Sequence, residues 1–118
     1  MSEFSSLKIK LSYFPIEGVA EKVRLTFAYL GIPFEDERID FDKFTEMKGK
    51  LPSGQLPIME MNGKTYTQSA AMARYAALLD PSGKLYPRND PMKCFEIDVD
   101  ISSYSDSSAA DTKVVREL

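Results

Sequence analysis

Residues 54–75 read GQLPIMEMNGKTYTQSAAMARY, and the fold is decided by this stretch. Leu56 to Met61 form an apolar, strand-like run, and Asn62-Gly63 after it is a strong two-residue hairpin signal, because both positions of such a turn need positive φ. Lys64 to Thr67 then return as a paired strand. From Ser69 the period changes. A serine is a good helix N-cap, the run AAMARYAALL follows it, and Asp80-Pro81 closes the helix.

Upstream, Leu7, Ile9 and Leu11 alternate with Lys8, Lys10 and Ser12 as in a half-buried strand, which Tyr13-Phe14-Pro15 ends. Ile16, Val19, Ala20, Val23, Phe27 and Leu30 then recur at helical spacing, with Glu17, Glu21, Lys22 and Arg24 expected around the other sides. Gly31 suits a left-handed helix end, and Pro33 cannot continue the helix. The segment FEDERI, residues 34–39, reads as a second strand; reached across a helix, it is expected to run parallel to the first. Residues Asp40 to Lys50 read as irregular and weakly helical. The whole is an α/β order of βαβ followed by ββα. Beyond it, residues 81–91 hold three prolines and a glycine and read as a linker, and Met92 to Tyr104 read as a weak helix because Val99, Ile101 and the serines lower its propensity.

The chain has 118 residues, enough for one compact domain without a disulfide or metal staple. Its formal net charge is −3 with acidic and basic residues interspersed, so the basic stripe that nucleic acid requires is missing. The single cysteine, Cys94, has no disulfide partner and reads as a half-buried structural thiol; without histidine there is no Cys–His pair or ordinary zinc site. The start lacks the apolar core of a signal peptide and no run reaches membrane-spanning length, which implies a cytoplasmic protein with neither nucleic acid nor membrane as partner.

Three places could carry chemistry. Pro57 at the start of an internal strand removes a ladder donor. Either it marks an edge strand, or the Leu56–Pro57 bond is cis and leaves the Leu56 backbone open to a peptide ligand. Gln68-Ser69 stands at a helix N-terminus, where free N–H groups and the dipole attract anions, although a lone serine there is more often a plain cap. Tyr13 ends the first strand, where ligands gather in open α/β sheets, and its phenol can donate to a thiolate; the commoner fate of a tyrosine is to pack at the core rim.

Taken together and in order, Tyr13-Phe14-Pro15, Gly18 in the following turn, and GQLPIMEMNGKTYTQSAAMARY resemble the glutathione transferase superfamily, its tyrosine-dependent sigma and pi classes most closely. The resemblance covers Leu7 to about Pro87 and continues loosely beyond. It implies a thioredoxin-like glutathione-binding domain over residues 1–85, with 86–118 as linker and first helix of a truncated all-helical domain. A thioredoxin-type redox protein is disfavoured, since Tyr13-Phe14-Pro15 stands where its cysteine would be. By the same resemblance Tyr13 is the catalytic residue that holds glutathione, the co-substrate, as its thiolate. Leu56, before cis-Pro57, pairs by backbone with the cysteinyl part, Gln68 and Ser69 hold the γ-glutamyl carboxylate, and Gln55, Lys48 and Phe44 meet the glycyl end. Asp106 aligns loosely with a residue that reaches the partner subunit's glutathione. The implied activity is a transferase, with no metal, attacking a hydrophobic electrophile in detoxification, and the implied working form is a homodimer. The alternative is a truncated module that binds glutathione or a partner protein with little turnover. This chain departs from the family in three respects. Glu17 and Val19 stand where relatives carry arginines, Phe44 stands where they carry tryptophan, and only one helix of the second domain follows. Without that domain, the face of Met72, Tyr75, Ala76 and Leu79 is expected to be exposed and to drive self-association.

Overall fold

The computed structural model describes residues 7–102. Four strands, β1 (Ile9–Tyr13), β2 (Glu35–Arg38), β3 (Ile58–Met61) and β4 (Lys64–Tyr66), form one mixed sheet in the order β2-β1-β3-β4. β1 and β2 are parallel, and the crossover between them is helix α1 (Glu21–Leu30). β3 runs antiparallel to both β1 and β4, with Asn62 and Gly63 at φ 53° and 82° in the hairpin turn. Helices α2 (Phe41–Met47) and α3 (Ser69–Leu78) complete a thioredoxin-like fold, and residues 91–102 form a further helix, α4.

Several local readings change. α1 begins at Glu21, not near Ile16, because Gly18 takes φ +46° and residues 18–20 make a separate tight turn. Its other end is as expected: Gly31 is left-handed at φ 69° and its N–H bonds back to Ala28. α2 is a regular helix, since the Asp40 carboxylate accepts from the Lys43 N–H at 2.8 Å and Phe44 anchors the helix in the core. α4 overrides its poor propensity through tertiary contacts: Ile101 is buried, and Asp98 accepts from Arg74 Nε at 2.9 Å and from the Tyr86 hydroxyl at 3.2 Å.

The core is built from Leu11 and Tyr13 of β1, Val23 and Phe27 of α1, Ile58 and Met59 of β3, and the inward face of α3. That face is therefore not exposed. Met72 and Ala76 are buried and Tyr75 and Leu79 are half-covered, because α3 packs against α1. Among the described residues the exposed large apolar side chains lie elsewhere, Leu25 and Tyr29 on α1, Phe41 on α2, Tyr66 on β4, and Met92, Phe95 and Val99 on α4. Among the described residues no helix is long and apolar enough to cross a membrane.

Candidate functional site

The sheet registers bring three separated segments to one end of the molecule. β1 pairs Ser12 with Ile58, so Tyr13 ends its strand beside the entry of the chain into β3 through Leu56-Pro57. β3 pairs Met59 with Tyr66, so Thr67 and Gln68 leave β4 at that same end and α3 starts there. The chain direction that makes β1 and β2 parallel puts Arg38 opposite Tyr13 as well, and the Ile39 N–H donates to the Tyr13 carbonyl at 2.8 Å.

Tyr13 is fully buried, and its hydroxyl oxygen accepts from the Val19 N–H at 3.4 Å. Gly18 makes room for the phenol: a Cβ there would overlap the hydroxyl and lie 2.7 and 2.9 Å from ring atoms Cε2 and Cζ. The neighbouring Ser12 hydroxyl donates to Glu37 Oε1 at 2.9 Å instead of facing this end. Burial by itself would raise Glu37, but hydrogen bonds from Ser12 and Lys10, with the Lys10 and Lys43 charges, hold its carboxyl below the ordinary range.

From Tyr13 a line of aromatic contacts runs towards α2. Tyr13 and Phe14 meet edge to face at 5.4 Å, Phe14 and Phe44 at 5.1 Å, and the Lys48 ammonium stands 6.0 Å from the Phe44 ring centroid. The Lys48 stem passes close to Gly54, which joins this line to the 54–57 segment. There Gln55 is exposed, Leu56 and Pro57 are buried, and the Leu56–Pro57 bond is cis. Among the described residues neither the N–H nor the C=O of Leu56 has a hydrogen-bond partner.

Gln68, not Ser69, occupies the cap position of α3. Its carbonyl accepts from the Met72 N–H at 3.1 Å, while its φ of 78° and ψ of 95° are strained for a residue with a side chain. Its side chain is exposed and makes no cap bond, and Ser69 opens the helix half-buried. Asp106 lies outside the described residues. A concavity of about 500 Å³ lies at the opposite end of the sheet, by Lys8, Glu60 and Asn62, and includes none of these groups.

The residue that sequence reasoning misplaced is Arg24. Expected on a solvent face of α1, it is 4% exposed. Its Nε donates to Asp36 Oδ1 at 3.0 Å, and its Nη1 donates to the carbonyls of Ile16 at 3.0 Å and Glu17 at 3.4 Å. The guanidinium carbon stands 5.6 Å from the Tyr13 ring centroid. The signal was present in the spacing, since Ala20, Arg24 and Phe27 share one helix face and its other two members are apolar. Burial by itself would raise Asp36. The hydrogen bond from Arg38 and the charges of Arg24 and Arg38 outweigh it and hold that carboxyl below its ordinary range.

Residues 19–79 match the family model for the glutathione S-transferase N-terminal domain. The chain is 47% identical over 68 residues to probable glutathione S-transferase 8 of Caenorhabditis elegans, 58% of this chain and 33% of that protein. It is 50% identical over 66 residues to human hematopoietic prostaglandin D synthase, 56% of this chain and 33% of that protein. The matched region thus spans about a third of these relatives' length. The solved prostaglandin synthase D of Nilaparvata lugens superposes on 94% of this chain and 54% of its own, with a TM-score of 0.72 and 33% identity. By its matched residues and by its fold, the chain belongs to the glutathione S-transferase N-terminal domain family.

Proposed function

We propose that this chain binds glutathione along the Tyr13 end of the sheet and activates its thiol for attack on a hydrophobic electrophile. The observation that carries the reading is Gln68, an exposed side chain on strained backbone at the start of α3, at the same sheet end as Tyr13. Strain of this kind persists where a site uses it. Gln68, Ser69 and the α3 N-terminus take the γ-glutamyl carboxylate, the open Leu56 backbone takes the cysteinyl part, and Lys48 with Gln55 and Phe44 takes the glycyl end. Tyr13 donates to the sulfur. A donor that favours the charged form lowers a thiol pKa from about 8.5, and each unit represents about 1.4 kcal/mol. In this reading residues 1–85 are the glutathione-binding unit and 86–118 the linker and first helix of a helical domain. The working form is a cytoplasmic homodimer that detoxifies electrophiles.

Capture on immobilised glutathione and conjugation of a generic aryl halide test it. Tyr13→Phe is expected to raise the pH midpoint of conjugation and slow it at neutral pH, with glutathione binding nearly unchanged. An unmoved midpoint in a folded variant would remove Tyr13 from the role. A second reading, a glutathione-binding module with little turnover, is favoured by the full burial of Tyr13 and the bond its hydroxyl accepts from Val19. Capture without conjugation would select it.

Gln68→Gly separates strain from binding. Chain stability in urea is expected to rise by about 1 kcal/mol as the positive φ becomes unstrained, while glutathione affinity falls with loss of the side chain. Unchanged affinity would take Gln68 out of the site.

A further inference from the structure

We propose that Arg24 is the positioning residue of this site, the group that holds the turn over Tyr13 and keeps a positive charge beside its ring. The inference rests on the reading of Tyr13 as thiol activator. Arg24 ties three elements together from inside the protein. It rises from α1, binds Asp36 on β2, and fixes the carbonyls of Ile16 and Glu17 in the segment between Tyr13 and Gly18. The same segment delivers the Gly18 backbone and the Val19 N–H to the phenol. Glu21 Oε2 lies 3.8 Å from Nη1, so the charged groups around the guanidinium are Glu21, Asp36 and, sharing the Asp36 carboxylate, Arg38.

Two features point past a purely structural role. Among the described residues Nη2 is buried with no hydrogen-bond partner, a state that native proteins rarely keep without use. The guanidinium also stands within cation–π range of the Tyr13 ring. Glu17 and Val19 carry no positive charge into the turn itself, and the buried guanidinium brings one there from the helix side. Lysine cannot replace it, because a single ammonium cannot serve two carbonyls and a carboxylate as the planar fork does.

The test titrates glutathione bound to the full chain, following thiolate absorbance against pH in the wild type, Arg24→Lys and Asp36→Asn. Arg24→Lys is expected to raise the thiolate midpoint by on the order of one pH unit while glutathione affinity stays within about threefold. Asp36→Asn keeps the guanidinium but loosens its anchor, and a smaller shift in the same direction is expected; its side chain is one-third exposed, so this variant is the one to rely on if Arg24→Lys does not fold. Midpoints unmoved in folded variants, above a wild type that does form bound thiolate, overturn the assignment of Arg24 alone. A wild type that binds glutathione and forms no thiolate overturns the Tyr13 reading, and the role of Arg24 falls with it.

Discussion

Phe14→Ala is expected to remove about 3–5 kcal/mol of stability, the ordinary loss for deleting a buried phenylalanine ring. That is a large part of the 5–15 kcal/mol that holds a typical domain folded. Phe14 is 1% exposed and stands between Tyr13 and Phe44, so its loss opens a cavity where β1 and α2 meet. The site suffers through the same gap, since α2 leads directly into Lys48. Urea unfolding followed by far-ultraviolet circular dichroism reads the effect. A loss below about 1 kcal/mol would mean that the surrounding aromatic side chains close over the space.

Gly18→Ala is the second large effect, expected at about 2–4 kcal/mol from two sources. The residue sits at φ +46°, where a side chain strains the backbone, and the new Cβ would collide with the Tyr13 hydroxyl and ring. The two sources can be separated by combining it with Tyr13→Phe. Removing the hydroxyl relieves its overlap, but the approaches of 2.7 and 2.9 Å to Cε2 and Cζ remain. The double variant should therefore recover only part of the loss, and the shortfall measures the ring contacts and backbone strain. Full recovery would place the whole cost on the hydroxyl. No loss in the single variant would show that the turn yields freely.

What could be read beforehand followed from signals with one physical meaning. Asn62-Gly63 needs positive φ twice and so specified the hairpin; Gly31 specified the end of α1; the crossover specified the parallel pairing of β2. Signals with two meanings misled. Ile16 and Val19 fit a helical period, but Gly18 breaks the helix because the phenol of Tyr13 needs its space, a fact held in another element. Arg24 looked like a solvent residue because charge was weighed above spacing. The serines and β-branched residues of α4 argued against a helix that Arg74 and Tyr86 dock from outside it. At the site, residue types and order were legible, whereas the strain at Gln68 and the burial of Tyr13 were not, since both depend on how the ββα unit closes on β1.

The outer strands of the sheet decide how copies of this protein can meet. One rim is β2, Glu35-Asp36-Glu37-Arg38, every residue of it charged. The other is β4, three residues long and opening on Lys64. A strand from a second molecule that lay along β2 would set its backbone against three carboxylates, and along β4 it would find too short a template. Both rims of the described sheet thus disfavour lengthening by a strand from another copy in the folded state. Among the described residues the larger exposed apolar side chains stand mainly on helices, Leu25 and Tyr29 on α1 and Met92, Phe95 and Val99 on α4, and these are the surfaces best suited to association between copies.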